Sequence, residues 1–334
     1  MLDVFKNNPF GVISLTASSN EMPYLPSRIR QMGLFQSEGI STLSVAIESL
    51  KGTLKLVPTS TRGGPGHQST PDKRVMRDFR AVHLQVDDAL NADEIQGVRE
   101  FGTENQLQTI KGVVDRRFAK LFGDIDTTIE NLRMGALKGQ VLDADGVTVL
   151  WDLFSEFNVT ALGALDFTLG TAATNIKSLC NQVVRAFTDE LGATPMGQVH
   201  AFCGDSFYDK LSTHAEVRDS YHRQQDSAFL RSGSLAYEMF TYGNITWENY
   251  RGSVAGTPFV ATGDCRFFIT GVPGLFIDRY APADYKETVN TIGLPRYAKL
   301  IEKPDGKGYD MQAQSNPITL CTRPRTLRRG FTSN

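Results

Sequence analysis

Four side chains of the kinds that bind transition metals lie close together in the sequence. They are His200, Cys203, His214 and His222. His200 and Cys203 are spaced like the ligands of a metal knuckle, and His214 and His222 would lie on similar faces of one helix. Nothing in the sequence forces all four together, so we interpret them as two helix-surface histidines and a buried thiol beside a short strand. The sequence therefore predicts no metal site.

Two other segments resemble ligand-binding loops. Asp143 to Gly146 begins like a calcium loop but lacks the further ligands, and apolar strands at 140–142 and 147–150 flank it, which favours a hairpin turn. A glycine-rich stretch has the composition of a phosphate cradle but lacks the lysine and the following helix of one, which favours a loop tip. That stretch is Arg62, Gly63, Gly64, Pro65 and Gly66.

A group of arginines in the last twelve residues forms a local basic cluster. These arginines are Arg323, Arg325, Arg328 and Arg329. They could contact phosphate or pair with acidic residues of another copy, and we favour pairing between subunits. Nucleophile elbows, Walker loops, dinucleotide fingerprints and HExxH motifs are absent from the sequence, so we predict no catalytic residue, no cofactor and no enzyme.

Composition excludes several classes of protein. Hydrophobic residues make up 40% of the 334 residues and charged residues 22%, which is typical of a globular chain. The net charge of −2 argues against binding nucleic acid by bulk attraction. The four cysteines are widely spaced, as expected for thiols in a reducing compartment. We expect neither a signal peptide nor a membrane span.

The first half of the chain is predicted to contain an arm, a hairpin and a long helix. Residues 1–40 carry prolines and irregular apolar positions, and we expect an extended arm that lies either on its own domain or on a neighbouring subunit. Strands at 42–48 and 53–57, the Gly/Pro-rich segment 58–74 and a strand at 82–86 predict a long two-stranded excursion.

Apolar residues at steps of three and four predict one helix over 104–138. Its buried stripe is Leu107, Ile110, Val114, Phe118, Leu121, Ile125, Ile129, Leu132 and Ala136. Its solvent face is Lys111, Asp115, Arg116, Lys120, Asp124, Asp126 and Glu130.

The second half alternates helices and strands. A helix over 175–191, a strand over 199–202 and a helix capped by Asp205 or Ser206 predict a mixed α/β domain over roughly 160–290. Strands are expected at 245–251, 257–261 and 266–270, and again at 297–302, 309–315 and 317–321.

This order of elements resembles the major capsid protein of tailed bacteriophages, which has the Hong Kong 97-type fold. The sequence is most similar to the lambda-type capsid protein E family. The segments that carry the resemblance are Met1 to Phe5, Met32 to Phe35, Arg62 to Gly66, Val141 to Gly146, Pro295 to Leu300 and Gln314 to Pro317.

The resemblance implies an α+β fold in four parts. These are an N-terminal arm at 1–40, an extended loop at 41–80, a peripheral domain at 81–157 and 293–334 with the long helix as its spine, and an axial domain at 158–292. Some relatives crosslink a lysine of the extended loop to an asparagine, and Lys51, Lys55 and Asn316 are the residues that could take those roles here.

The resemblance further implies a subunit that assembles into hexamers and pentamers of an icosahedral head around double-stranded DNA. The implied partners are further copies of the chain, a portal, a scaffold or protease, a decoration protein and the packaged DNA. The implied location is the virion, after assembly in the host cytoplasm. Two alternatives stay open: an encapsulin-like compartment, and a cytosolic α/β enzyme.

Overall fold

The computed structural model describes residues 11–22, 27–50, 74–95, 110–192, 194–223, 239–254 and 256–334. The predicted strand at 53–57, the loop Arg62 to Gly66 and the lysines Lys51 and Lys55 lie outside these residues.

The N-terminal segment contains regular structure where an extended arm was predicted. Helix α1 spans Val12–Glu21, helix α2 spans Arg28–Gln31, and strand β1 spans Gln36–Gly39. Because Pro9 and Pro23 stand on either side of α1, they bound the helix and do not interrupt it. The prediction of an extended arm is therefore wrong where the two helices form, whereas β1 is extended. We call residues 11–22 and 27–40 the strap.

An antiparallel ribbon follows the strap. Strand β2 (Ser44–Leu50) pairs along its whole length with β3 (Arg74–Arg80), and these two strands form a sheet of their own among the described residues. Strand β4 (Leu84–Asn91) belongs to a different sheet, and helix α3 (Ala92–Ile95) follows it. The prediction that the strand at 82–86 completes the excursion is therefore wrong.

The predicted spine helix is α4, described over Ile110–Lys138. The predicted stripe is confirmed from Val114 to Ala136, since its members within that span are all buried. Asp126 and Glu130 are also buried, so their assignment to the solvent face was wrong. A close approach explains Gly135, because a Cβ atom there would lie 2.9 Å from the Cα of Val141.

The predicted hairpin follows directly. Strands β5 (Gln140–Leu142) and β6 (Val149–Asp152) pair across it, and helix α5 (Leu153–Glu156) begins at Asp152, whose carboxylate accepts from the amide of Phe154. Asp145 accepts hydrogen bonds from the amides of Val147 and Thr148, which confirms a turn.

A mixed six-stranded sheet organises the predicted α/β region. Its strands, in order across the sheet, are β7 (Leu165–Asp166), β18 (Arg328–Phe331), β13 (Asp264–Ile269), β8 (Val199–Cys203), β10 (Ile245–Asn249) and β9 (Met239–Tyr242). The other elements of this region are α6 (Ile176–Leu191), α7 (Asp205–Thr213), α8 (Ala215–Arg223), β11 (Ser253–Val254), β12 (Thr257–Pro258) and β14 (Phe276–Tyr280). Helix α6 has the predicted bounds, but α7 has Gly204 at its N-cap and no side-chain cap, so the capping prediction was wrong.

The last strands return to three sheets. They are β15 (Tyr297–Glu302), β16 (Gly308–Ser315), β17 (Pro317–Cys321) and β18 (Arg328–Phe331). Strands β15, β16 and β4 form one antiparallel sheet, β1, β14 and β17 form another, and β18 joins the six-stranded sheet. These four strands therefore connect three separate sheets.

Two main hydrophobic cores result. The larger lies on the six-stranded sheet and contains a cluster of aromatic rings around Trp247, Phe167 and Phe267. The smaller lies between α4 and the β4–β16–β15 sheet and contains Phe118, Met311 and, from the strap, Leu15.

Candidate assembly surfaces

Helix α1 of the strap is fixed to its own chain through a buried arginine. The side chain of Arg296 is almost fully buried, and its Nη1 donates to the carbonyl oxygens of Ser19 and Met22, each at 3.0 Å. Its Nη2 lies 2.6 Å from the Asp126 carboxylate of the spine helix. The guanidinium thus holds the end of α1 against α4, and it explains why Asp126 is buried.

Helix α2 is fixed by two carboxylates. The backbone amide of Ile29 donates to Glu130 of the spine at 2.8 Å. Arg28 makes a two-pronged contact with Glu248 of β10, at 2.5 and 2.9 Å. Glu248 also lies 2.8 Å from Nε2 of His200 on the adjacent strand. Burial alone would raise the pKa of Glu248, but the contacts from His200 and Arg28 hold it below its usual value.

Strand β1 completes the strap beside a third buried ion pair. It pairs in parallel with β14, whose Asp278 is fully buried. Arg133 of the spine donates to Asp278 at 2.7 and 3.0 Å, and this carboxylate raises the pKa of Arg133 despite burial. The described part of the strap therefore contacts its own chain, which favours the first of the two predicted positions of the arm.

The ribbon of β2 and β3 has no third strand beside it among the described residues. Its base is anchored by Phe79, which is buried and packs 5.6 Å from the ring of Phe157. Further along β3 Met76 is 70% exposed, and Leu43, which directly precedes β2, is 59% exposed. An exposed two-stranded sheet with bulky apolar side chains is typical of a surface that another molecule covers.

A second set of exposed apolar side chains lies on the loop before β15. The set is Val289, Ile292 and Leu294. This loop touches the end of the strap, since the amide of Gly293 donates to the carbonyl of Ile40 at 2.8 Å. The loop thus lies against the segment that leads into the ribbon.

The C-terminal arginines all contact their own chain. Arg329 forms two hydrogen bonds with Asp264, which raise its pKa, and Arg325 lies 3.5 Å from Glu190. Arg328 donates to the carbonyl of Gly163, and burial lowers its pKa, while Arg323 donates to Thr194. Arg325 and Arg329 remain about half exposed, so each has surface left for a second partner.

The candidate metal ligands are not brought together. His200 packs between strands with Glu248, and His214 is buried between α7 and α8 with its Nε2 3.2 Å from the carbonyl of Thr171. The interpretation of His214 as a surface histidine was therefore wrong. Within the described ranges, no group of three or more His, Cys, Asp or Glu side chains is placed to hold a metal ion.

Asn316, the candidate for a crosslink, is buried between β16 and β17. Its Nδ2 donates to the carbonyl of Pro282 at 3.0 Å, and its Oδ1 lies 3.0 Å from Nδ1 of His83. Both ends of the amide are thus engaged by the same subunit. This arrangement supports a structural role for Asn316 at the junction of two sheets.

Sequence reasoning missed the three buried ion pairs. The carboxylates of these pairs belong to Asp126, Glu248 and Asp278. Helical and strand periodicity both assign polar residues to the solvent face, so neither pattern predicts that these carboxylates are buried. One available signal was that Glu248 and Asp278 directly follow bulky apolar residues, Trp247 and Ile277, in short strands, because a charge buried beside them requires a partner.

Across the described part of the chain, none of the helices combines the length and the apolar character needed to cross a bilayer.

Comparison with known proteins gives a consistent result. Residues 11–332 match the model of a family described as phage major capsid protein E. The chain is 27% identical to the major capsid protein of Salmonella phage Felix O1, over 98% of this chain and 97% of that protein. It is 28% identical to the major capsid protein of Pseudomonas phage KPP10, over 97% of both.

The fold also matches a solved capsid. The mature capsid of bacteriophage PhiM1 contains a chain that aligns with a TM-score of 0.54 and 9% identity, over 94% of this chain and 90% of that one. At this identity the match concerns the fold alone, and it confirms the predicted Hong Kong 97-type architecture. Neither the encapsulin nor the enzyme alternative gains support from these comparisons.

Proposed function

Because the chain belongs to the phage major capsid protein E family, we propose that its copies assemble as hexamers and pentamers into an icosahedral head around double-stranded DNA. The protein is a major capsid protein of a tailed phage or prophage, and thus a structural component of the virion. The observation that carries the finer proposal is the match along residues 11–332, because it includes the strap, the ribbon and the returning strands together.

The ribbon is the first surface that we assign to contact between copies. We place the extended loop at 41–80, the peripheral domain at 81–157 and 293–334, and the axial domain at 158–292. Strands β2 and β3 pair only with each other among the described residues, and Met76 and Leu43 are exposed on them. Covering such side chains with a neighbouring copy would stabilise the contact by about 25 cal/mol for each Å² of apolar surface that is removed from water.

The C-terminal arginines and the glycine-rich loop supply further candidate contacts. Arg325 and Arg329 keep exposed surface beside their own carboxylates, which suits pairing with a neighbour's acidic residue. Arg323, Arg328 and the loop Arg62 to Gly66 complete the proposed set. We further propose a portal, a scaffold or protease and a decoration protein as partners, assembly in the host cytoplasm and no catalytic role.

A deletion in the segment that connects the two strands of the ribbon tests this assignment. Removing residues 59–72 should leave a subunit with native circular dichroism and an unchanged unfolding midpoint, because both main cores lie elsewhere. The same variant, expressed with its scaffold, should form few shells in sedimentation and negative-stain microscopy.

A matched control uses exposed apolar residues of equal character. Met76→Asp on the ribbon should reduce assembly, whereas Val147→Asp, which is 80% exposed on the β5–β6 turn, should assemble as the parent does. Shells at full yield from both the deletion and Met76→Asp would contradict the role of the ribbon. A parent chain that stays monomeric with scaffold present would contradict the assembly itself.

A further inference from the structure

Two of the four cysteines face each other at the centre of the six-stranded sheet. Strands β8 and β13 are antiparallel neighbours, and Cys203 lies directly opposite Cys265. Both side chains are fully buried. The other two cysteines have different surroundings, since Cys180 lies under Gly243 and Cys321 lies 4.0 Å from Oγ1 of Thr326.

The hydrogen-bond pattern of these strands fixes how close the pair can come. The amide of Gly204 donates to Asp264, and the amide of Thr270 donates to Gln198, so the bonded positions are the even-numbered residues of β8. Cys203 and Cys265 therefore occupy a non-hydrogen-bonded position of the ladder. At such a position the Cα atoms are about 4.5 Å apart and the side chains are closest, which falls within the range of about 4.4–6.8 Å for disulfides.

The two thiols also contact each other. Burial, followed by a hydrogen bond with the Cys203 thiol, raises the pKa of Cys265 well above its usual value. The Cys265 thiol is thus held neutral in the folded chain, and it exchanges slowly. Strand β18 covers the Cys265 thiol and limits the access of a reagent to it. Gly330 of β18 is paired with Cys265, and a Cβ atom at position 330 would lie 2.5 Å from the Cys265 sulfur. Strand β18 is also the last strand of the chain.

We propose that Cys203 and Cys265 form a cross-strand disulfide when the chain meets a low-molecular-weight disulfide such as oxidised glutathione. One protein thiolate attacks the small disulfide, which gives a mixed disulfide and releases one glutathione thiolate. The second protein thiolate then attacks the protein sulfur of the mixed disulfide and releases the other. Two electrons pass to the glutathione sulfurs, and the two thiol protons end on the two glutathione molecules.

The crosslink would join the two central strands of the six-stranded sheet. Formation of the disulfide depends on the register of β8 and β13 within one subunit and not on contacts between copies. The crosslink can therefore be measured in free subunits as well as in shells. A capsid that leaves a reducing cell would meet the required oxidant outside.

Alkylation mapping tests the proposal on the full-length chain. Samples prepared with reductant are incubated with oxidised glutathione in two arms: as folded protein, and during refolding from denaturant, where burial cannot block access. Each is then unfolded with iodoacetamide and digested for mass spectrometry. We expect a linked peptide containing Cys203 and Cys265, lighter by two hydrogens than the two thiol peptides, with Cys180 and Cys321 fully alkylated as internal controls.

Variants and a reducing agent complete the test. Dithiothreitol, Cys203→Ser and Cys265→Ser should each abolish the linked peptide, and Cys321→Ser should leave it unchanged. Equal alkylation of all four thiols in both arms would overturn the proposal. So would stable glutathione adducts on Cys203 or Cys265, or links from either residue to Cys180 or Cys321, since each shows that the pair does not close.

Discussion

Replacing Arg28 with methionine is expected to destabilise the isolated subunit by roughly 2–3 kcal/mol. Arg28 makes two hydrogen bonds to Glu248, and the glutamate side chain is fully buried while the arginine side chain is 17% exposed. Methionine keeps most of the apolar stem but leaves the carboxylate with His200 as its main partner. The loss is therefore smaller than the about 3–5 kcal/mol typical of a fully orphaned buried charge.

A double-mutant cycle isolates the pair itself. Glu248→Gln should cost a similar amount because Arg28 and His200 lose the charge that they bind. The double variant should be less destabilised than the sum of the single variants, with a coupling energy of about 1.5–3 kcal/mol. The measurement is urea unfolding of dissociated subunits followed by circular dichroism, in which equal m-values establish that the midpoints are comparable.

The ion pair between Arg279 and Glu38 is the matched control. It also joins the strap to its own domain, at 3.0 Å, but the Glu38 side chain is 54% exposed. Solvent screens such a pair, so its coupling should be below about 1 kcal/mol.

The cycle refutes the position of the strap if it gives no coupling in free subunits. A coupling for Arg28 and Glu248 as small as that of the control would mean that α2 does not lie on its own β10 in solution. Coupling that appears only in assembled shells would instead place the strap on a neighbouring copy.

Phe118→Ala should destabilise the subunit by about 3–5 kcal/mol and cause aggregation on expression, because Phe118 is 1% exposed and stacks on Phe122. Lys120→Glu, on the exposed side of the same helix, should be nearly neutral. Soluble yield and unfolding midpoints measure both effects, and the reverse order would refute the assigned buried face. Burial and then Arg266 lower the pKa of Lys138 to about 8 from 10.5, so between these pH values the unfolded chain holds a proton that the folded chain has lost. The free energy of unfolding should therefore rise with pH across this range by up to about 3 kcal/mol relative to Lys138→Met. A pH series of melting temperatures tests this, with Lys120→Met as a control that keeps the rise. Free subunits should bind DNA weakly and without sequence preference, losing binding between roughly 50 and 200 mM salt in mobility-shift titrations; selective binding that persists at the upper concentration would contradict this.

The spine helix could be predicted from sequence because its signal is local. Apolar residues at steps of three and four require one buried face, and the stripe from Val114 to Ala136 is buried. The same rule failed for Asp126 and Glu130, since periodicity assigns every carboxylate to solvent by default. Their partners, Arg296 and the amide of Ile29, arrive from distant parts of the sequence.

The strap was missed for a different reason. Helix α1 buries Leu15, Thr16 and Ser19, and two of these three are polar, so its apolar stripe is too weak to read. Its stability comes from tertiary contacts, as is usual for short helices. The ribbon shows the same limit for strands, because Arg74–Arg80 is rich in charge and its pairing with β2 spans the undescribed residues 51–73.

The buried carboxylates are enclosed by partners from their own chain. An active-site carboxylate keeps a face open to substrate, whereas Asp278 is fully buried and accepts two hydrogen bonds from Arg133. Glu248 likewise receives Arg28 on both oxygens and His200 on one. Each pair joins segments that are far apart in sequence, so mispairing would leave an uncompensated charge in the core. In a subunit that must present matching surfaces to many copies of itself, these pairs fix the position of the strap on the spine and sheets.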